Sequence, residues 1–320
     1  LYAAADRRMR QIAGNRGRIW AAIGVDATPC PRNCRFCSHG AAWGVYAKPF
    51  ELSPAEVTAQ ACRLAAAKPD WLTLRFTQDY GIVKVAALGQ GLRSLLPPET
   101  VLVANTGEFS RTEAVALQRA GFGAIYHTYR LREGEDTGIE PAERLQTLAA
   151  VRDTPGLALA ALVEPVGPEH TDEELVEAAF RLKEYGVALS GVMARVPVPG
   201  TPLGDLGRAA DNRIVRTVAM TRLISGPEVA AICVHPPLPA AFHAGANTLV
   251  VECGAIPRDQ AAEAVAWRAL DMTGARTLLA AAGFALPSAV PASGPLAGVA
   301  ARSCRTGACA SPETTADRGV

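Results

Sequence analysis

Short apolar segments alternate along the chain with longer segments of helical periodicity. The apolar segments are rich in Val, Ile, Leu and Ala, and continuous runs of this length are typical of strands buried on both faces. The eight candidate strands cover residues 20–27, 71–77, 100–105, 123–129, 157–165, 190–198, 229–235 and 247–253. The pattern therefore predicts a regular alternation of strands and helices.

The helical segments carry signals for where they begin and end. Residues 53–56, 110–113 and 171–174 each have the Ser/Thr-x-x-Glu pattern of a capping box, and Gly186 is placed to end a helix. Repetition of strand, loop, capped helix and strand favours a parallel sheet with crossover helices. Eight such units predict an α/β fold of the (β/α)8 TIM-like barrel type, with a doubly wound open sheet as the alternative.

The length of the chain fits one barrel with short extensions. A barrel of this type needs about 250 residues, and the chain has 320. We expect an N-terminal helix over residues 1–18, the barrel over 19–285 and an extended tail over 286–320. The tail is assigned because that segment is rich in Ala, Ser, Pro and Gly.

Composition and charge narrow the classes of function. The formal net charge of +1 gives no reason to expect a polyanionic partner such as nucleic acid. We find no apolar run long enough for a transmembrane helix and no apolar core of a secretion signal, so we expect no membrane partner and a cytoplasmic location. Eight cysteines are too sparse for a disulfide scaffold, and clustered cysteines in the cytosol usually indicate metal or redox chemistry.

Three of the cysteines, Cys30, Cys34 and Cys37, lie just after the first predicted strand. In a barrel this places them at the carboxyl end of the strands, where chemistry is located. A structural zinc site commonly uses two separated pairs of ligands, and no second pair follows at that spacing. An iron–sulfur cluster fits three close thiolates better and leaves one iron open to a small molecule. A zinc knuckle is the alternative.

The CxxxCxxC spacing after the first strand of a β/α barrel resembles the radical S-adenosylmethionine (SAM) superfamily. Phe36 matches the aromatic residue that the family places before the third cysteine, near the adenine of SAM. The resemblance implies a [4Fe–4S] cluster on Cys30, Cys34 and Cys37, with SAM bound at the open iron. It also implies reductive cleavage of SAM to a 5′-deoxyadenosyl radical that abstracts hydrogen from the substrate.

Later stretches resemble one group within this superfamily, which includes biotin synthase, methylornithine synthase and a hydrogenase maturase. Residues 143–153 are similar to the helix after the fourth strand, and the resemblance implies that Arg144 pairs with the SAM carboxylate, a clamp that suits a bidentate guanidinium. Residues 196–203 are similar to the sixth-strand motif, which implies that the backbone at Val198 and Pro199 lies along the adenine. Residues 242–254 are similar to the eighth-strand region.

Two further polar stretches match contacts of the same group. The resemblance implies that Thr77, Gln78 or Asp79, after the second strand, faces the amino group of SAM. It also implies that Glu133, after the fourth strand, contacts the ribose hydroxyls. A polar surface loop is the alternative for both stretches, and a surface arginine is the alternative for Arg144.

The chain departs from biotin synthase in the barrel interior. Biotin synthase holds an auxiliary [2Fe–2S] cluster on cysteines of three strands and on an arginine. The second, third and fifth strands here contain no cysteine, and His235 stands in place of the arginine. Biotin synthesis is therefore not predicted. We expect Cys62 to be a helical core residue and Cys233 to share a strand face with His235.

A second [4Fe–4S] cluster is a candidate feature of the tail. Cys304 and Cys309 lie there, and Cys253 ends the eighth strand at the rim of the expected active site. An exposed pair of cysteines is an oxidation liability without a purpose, so we interpret these three as candidate ligands. An incidental disulfide pair is the alternative.

The resemblance and the tail cysteines together favour radical sulfur insertion of the lipoyl synthase type, on an octanoylated protein or peptide. That function implies a lipoyl-carrier protein, a second synthase subunit and an electron donor such as ferredoxin or flavodoxin. The alternative is carbon-skeleton or metallocofactor-maturation chemistry without an auxiliary cluster. A third hypothesis is a non-catalytic iron–sulfur carrier. Fold-level analogy cannot choose among them.

Overall fold

Parallel strands alternate with helices throughout the computed structural model, which describes residues 1–45, 49–255 and 270–286. The helices are α1 Tyr2–Ala13, α2 Pro54–Ala65, α3 Ile82–Arg93, α4 Arg111–Arg119, α5 Pro141–Arg152, α6 Asp172–Glu184, α7 Asp211–Ile224 and α8 Met272–Ala281. The strands are β1 Arg18–Gly24, β2 Asp26–Ala27, β3 Phe50–Glu51, β4 Trp71–Arg75, β5 Val101–Asn105, β6 Ala124–Tyr126, β7 Ala158–Ala160, β8 Val163–Val166, β9 Ser190–Ala194, β10 Ile232–His235 and β11 Thr248–Gly254.

Nine of these strands form one parallel sheet in the order β7-β6-β5-β4-β1-β11-β10-β9-β8. The chain order runs round the sheet in one direction, whereas a doubly wound sheet reverses it. The two edge strands, β7 and β8, are successive parts of the segment predicted as one strand over 157–165, and Ala160 at the end of β7 also bridges to Leu189, just before β9. The sheet therefore curls into a TIM-like barrel, and the predicted fold class is confirmed. Strands β2 and β3 form a separate antiparallel pair.

Local sequence signals explain where the helices begin. The three predicted capping boxes are all formed, at the N-termini of α2, α4 and α6. In each box the Ser or Thr side chain accepts a hydrogen bond from the Glu backbone N–H, and the Glu side chain accepts one from the cap residue. Two otherwise unpaired backbone donors are satisfied at each helix start, which fixes the loop that leads out of the preceding strand.

Alternation along the strands separates two apolar layers. On β1, Ile19, Ala21 and Ile23 belong to the large core between the sheet and the helices, whereas Trp20 and Ala22 face the barrel interior. The helix α1 lies within the predicted N-terminal segment and packs against α7. No helix in the described ranges combines the length and apolar character that a membrane crossing requires. The predicted tail from residue 287 onward lies outside the described residues.

Candidate active site

The cysteine loop, residues 28–40, follows β2 and lies over the carboxyl ends of the barrel strands. Its ends are joined by backbone hydrogen bonds from Cys30 to His39 (N to O, 2.6 Å) and from Ala41 to Cys30 (2.9 Å). Cys30, Cys34 and Cys37 all line one cavity of about 290 Å³, and Phe36 lines it as well. The structure therefore brings together the three cysteines and the aromatic residue that the sequence predicts.

The three sulfurs are not gathered as closely as a single metal ion would require. Tetrahedral zinc binds sulfur at about 2.3 Å, which holds neighbouring sulfurs roughly 4 Å apart. Among the described residues, Cys30, Cys34 and Cys37 are not a group whose ligand atoms all lie within 4.8 Å of one another. A wider triangle of thiols fits a multi-iron cluster. Burial raises the pKa of the Cys37 thiol to about 11, the neighbouring Cys34 adds to the rise, and the Arg130 guanidinium opposes it.

Residues 130–138 support the cysteine loop from below. The Arg35 backbone N–H donates to the Asp136 carbonyl (2.9 Å), and the Arg35 guanidinium donates to the Asp136 carboxylate (2.9 Å). Gly138 lies so close to the loop that a Cβ there would be 1.7 Å from the Arg32 carbonyl oxygen. The backbone of the cysteine loop is therefore fixed by direct contact with the segment that follows β6.

We expect Gly138→Ala to separate these two segments and to lower both stability and iron loading. The added methyl carbon would lie 1.7 Å from the Arg32 carbonyl oxygen, so the backbone must move. Overpacking of this kind typically lowers the free energy of unfolding by about 1–3 kcal/mol. Denaturant unfolding and iron per chain measure the two effects. The control is Gly91→Ala in α3, where a Cβ meets no atom within 4 Å. Equal iron loading and stability in the two variants would contradict the prediction.

A second loop holds the cysteine loop from the β9 side. The Leu203 backbone N–H donates to the Arg35 carbonyl (3.0 Å), so both backbone groups of Arg35 are bonded to separate segments. Within the second loop, the Thr201 hydroxyl donates to the Val198 carbonyl (2.8 Å). Val196 lines the cavity, but Val198 and Pro199 are not among the lining residues. The structure thus places the predicted adenine-facing pair just beyond the cavity wall.

Arg144 is the centre of a buried network at the cavity wall. Its guanidinium Nη1 lies 2.7 Å from Glu108 Oε1 and 2.9 Å from His127 Nε2, and its Nε lies 3.1 Å from Glu133 Oε2. The remaining nitrogen, Nη2, is buried without a hydrogen-bond partner, and the residue lines the cavity. An unpaired buried donor is costly unless a ligand satisfies it. The arrangement fits a carboxylate ligand.

The protonation states of this network follow from burial and from its charges. Burial lowers the pKa of His127 to about 4, and the hydrogen bond with Glu108 opposes that shift only in part. Burial disfavours the charge of Glu108, but hydrogen bonding to His127 and the Arg144 guanidinium outweigh burial and hold its pKa below the usual range. At pH 7 the network therefore contains a neutral imidazole, ionised Glu108 and a cationic Arg144.

Glu133 is held inside the protein by its own partners. Its carboxylate accepts hydrogen bonds from the Arg130 backbone N–H (2.9 Å), from Arg144 Nε (3.1 Å) and from the Thr137 hydroxyl. It is not among the residues that line the cavity. The structure therefore places Glu133 behind Arg144 rather than beside the cavity.

The predicted polar turn after β4 is divided between the cavity and the surface. Thr77 and Gln78 line the cavity, whereas Asp79 is exposed and is not among the lining residues. Asp26 fixes Thr77, because its carboxylate accepts hydrogen bonds from the Thr77 backbone N–H (2.8 Å) and from the Thr77 hydroxyl. Burial raises the pKa of Asp26, and its two bonds with Thr77 oppose that rise.

The cavity floor is charged, a feature that the sequence analysis missed. The Tyr126 hydroxyl donates to Glu164, and Arg130 Nε lies 3.5 Å from the same carboxylate. On the opposite wall Arg75 Nη1 lies 3.0 Å from Glu252 Oε1. His235 Nε2 also approaches Glu252, at 3.3 Å from Oε2. The signal was present in the sequence, because these charges interrupt otherwise apolar strands.

The remaining cysteines lie in different places. Cys233 is buried in the apolar cluster of the barrel interior, and His235 lines the cavity on the same side of β10, so the predicted shared face is confirmed. Burial raises the pKa of the Cys233 thiol. Cys62 is buried in α2, as predicted. Cys253 faces the helical layer, where its sulfur lies 3.1 Å from Gln60 Oε1. Burial raises the pKa of Cys253 to about 11.

The predicted ligands of a second cluster are therefore not brought together within the described residues. Cys253 lies on the opposite side of β11 from Glu252, which lines the cavity. Cys304 and Cys309 lie outside the described part of the chain. The second cluster stays a prediction.

Within the described ranges, the side chains of Asp136, Glu169 and His170 have possible metal-ligand atoms within 4.8 Å of one another. Both carboxylates already pair with arginines, Asp136 with Arg35 at 2.9 Å and Glu169 with Arg195. His170 Nδ1 accepts the Gly167 backbone N–H at 2.9 Å. Neutralised carboxylates beside two guanidiniums disfavour a cation, so we interpret this group as a network that joins the cysteine loop to the end of β9.

Comparison with known proteins gives consistent relatives. The biotin synthase of Desulforudis audaxviator is 30% identical over 217 residues, which are 66% of this chain and 66% of that protein. The biotin synthase of Rippkaea orientalis is 28% identical over 243 residues, 70% of this chain and 64% of that protein. This chain thus spans just under two thirds of the length of these two relatives. No protein-family profile matches it.

The fold has solved counterparts. The crystal structure of methylornithine synthase superposes with a TM-score of 0.72 and covers 90% of this chain and 88% of that one, at 16% sequence identity. At this level of identity the likeness concerns the fold. It agrees with the barrel.

Proposed function

Since the chain belongs to the radical SAM superfamily, in its biotin synthase-like group, we propose that it holds a [4Fe–4S] cluster on Cys30, Cys34 and Cys37 and binds SAM beside it. A cluster held there would supply one electron for the reductive cleavage of bound SAM into methionine and a 5′-deoxyadenosyl radical, and that radical would remove a hydrogen atom from the substrate. The observation that carries the proposal is the shared cavity of the three cysteines and Arg144. A carrier protein without catalysis needs no such cavity.

Residues of this chain would hold SAM through its charged end. Arg144 Nη2 is buried without a partner, so it is the donor that the SAM carboxylate would satisfy. Thr77 and Gln78 line the cavity from the β4 side and are our proposal for the amino end, and Phe36 is our proposal for the adenine. We assign Glu133 a positioning role, because its carboxylate is bonded to Arg144 and not exposed to the cavity.

The charged floor supports a small polar substrate. Arg75, Arg130, Glu164 and Glu252 line the space below the cysteines. An apolar octanoyl chain would leave these groups desolvated without new partners, which is costly. We therefore favour carbon-skeleton or maturation chemistry on a polar compound over sulfur insertion into an octanoylated protein or peptide.

Sulfur insertion of the lipoyl synthase type is the second proposal. Its support is that the curated relatives are biotin synthases and that the tail carries Cys304 and Cys309. It requires a second cluster near the substrate, and Cys253 faces away from the cavity. It would also require a lipoyl-carrier protein and a second synthase subunit as partners.

An external electron donor is part of either proposal. We propose a ferredoxin or flavodoxin, because most residues of the cysteine loop are half-buried or exposed. The side chains of Arg32 and Arg35 in this loop are 31% and 46% exposed. Partly exposed arginines beside the cluster loop suit an acidic donor protein.

Anaerobic reconstitution with iron and sulfide counting tests the proposals. We expect about four irons per chain and formation of 5′-deoxyadenosine when SAM and a strong reductant are added. Seven or eight irons would instead favour the sulfur-insertion proposal, and an octanoyl-lysine peptide would then be the substrate to assay. Protein that takes up zinc and no iron, or that leaves SAM intact, would overturn the proposed function.

A further inference from the structure

We infer that Arg130 sets the reduction potential of the cluster, as the half-buried positive end of an ion pair whose buried negative end is Glu164. The inference rests on the proposed function, because it presumes a cluster on Cys30, Cys34 and Cys37. It adds a role for two residues of the cavity that neither ligate the cluster nor belong to the Arg144 clamp.

Arg130 is held at the base of the cysteine loop. It begins the segment 130–138, which contacts the loop at Arg35 and at Arg32. Its backbone N–H donates to Glu133 Oε2 at 2.9 Å, which fixes the point where the side chain leaves the backbone. The side chain lines the same cavity as Cys34 and Cys37. The guanidinium therefore lies inside the site and not on the outer surface.

The ion pair with Glu164 has a defined direction. Arg130 Nε lies 3.5 Å from Glu164 Oε1, and the Glu164 side chain is 1% exposed and accepts the Tyr126 hydroxyl. Arg130 begins the segment that contacts the cysteine loop, whereas Glu164 lies on β8 and is bonded to Tyr126, which packs against the barrel-interior cluster that contains Cys233. The positive end of the pair thus faces the cluster loop, and the negative end faces the floor.

A fixed positive charge beside a cluster favours the form with the extra electron. Reduction adds one negative charge to the cluster, and a cation in a cavity with little water is screened far less than one at the surface. Of the other charges near the loop, Arg35 is paired with Asp136, Arg144 is paired with Glu108 and Glu133, and Asp79 is exposed. Arg130 should therefore raise the reduction potential, and Glu164 should lower it from a greater distance.

The experiment is a redox titration of the reconstituted protein without SAM, followed by the electron paramagnetic resonance signal of the reduced cluster. We expect Arg130→Gln to lower the potential, with an equilibrium constant for reduction about tenfold smaller, which for one electron is ~59 mV. Glu164→Gln should shift the potential in the opposite direction, and Arg130→Lys should restore most of the wild-type value. These opposite signs would not arise from a merely structural role.

Arg75→Gln is the matched control, because it removes the same charge from the same cavity but from the pair with Glu252 on the opposite wall. We expect less than a threefold change in its equilibrium constant. Shifts of equal size in Arg130→Gln and Arg75→Gln, or of the same sign in Arg130→Gln and Glu164→Gln, would overturn the inference while leaving the proposed function intact. If Arg130→Gln fails to load iron, Arg130→Lys and Glu164→Gln decide the question. Wild-type protein without a cluster would instead remove the proposed function.

Discussion

Replacing Cys34 by alanine is expected to abolish the cluster and with it the cleavage of SAM. Cys34 lies between the other two ligands on a loop that lines the cavity, and two thiolates hold a four-iron cluster poorly. We expect iron to fall from about four per chain to below one, with loss of the brown colour and of 5′-deoxyadenosine formation. Cys30→Ala and Cys37→Ala should behave in the same way.

The other cysteines provide the controls for this prediction. Cys62→Ala changes a buried residue of α2, and Cys253→Ala changes a thiol on the helix-facing side of β11. Both variants should keep the four irons of the first cluster. Circular dichroism should show that every variant keeps the barrel, because the three ligands lie in a loop and not in its strands. A Cys34→Ala protein that still forms 5′-deoxyadenosine would contradict the assignment of the ligands.

Replacing Arg144 by methionine is expected to cost about 3–5 kcal/mol of stability and to remove most SAM binding. The stability falls because Glu108 and Glu133 would remain buried with their charges uncompensated. Binding falls because Nη2 is the donor that we assign to the SAM carboxylate, and a charge-assisted hydrogen bond of this kind contributes roughly 1.5–3 kcal/mol, or about 10- to 100-fold in affinity. Denaturant unfolding and anaerobic calorimetry with SAM measure the two effects.

Two further variants separate the two roles of Arg144. Arg152 lies on the same helix, but its side chain is 57% exposed, so we expect Arg152→Met to unfold at the wild-type denaturant midpoint and to keep normal SAM affinity. Arg144→Lys keeps a charge for the two glutamates but loses the planar fork. It should retain more stability than Arg144→Met and still bind SAM weakly. Full SAM affinity in Arg144→Lys would contradict the assigned contact.

The fold could be predicted from the sequence because its signals are local. Continuous apolar runs mark strands buried on both faces, and the capping boxes at residues 53–56, 110–113 and 171–174 mark where helices begin. The interruption of the fifth strand was not predicted. The first half, β7, pairs with β6, and the second half, β8, pairs with β9. Such pairing between distant segments is decided by tertiary structure and leaves no local signal.

The site was predictable only where one motif brings its ligands together. Cys30, Cys34, Phe36 and Cys37 are close in sequence and line one cavity. Contacts assembled from separate loops were harder. Glu133 is polar and in the expected loop, but sequence cannot show that Arg144 and Thr137 occupy its carboxylate. The direction of Cys253 was also not predicted. Successive side chains along a strand point to opposite faces, so Cys253 points to the helical layer because Glu252 points into the cavity.

One bent segment of chain closes the barrel opposite the cysteine loop. β1, which leads towards that loop, pairs with β11 over seven residues and with β4 over five. Across the cavity, β7 pairs with β6 and β8 pairs with β9, and Ala160 at the end of β7 also bridges to Leu189 just before β9. Glu164 lies on β8. The cluster ligands therefore follow a strand that is paired on both sides, whereas the position of the Glu164 charge is set by the bend between β7 and β8.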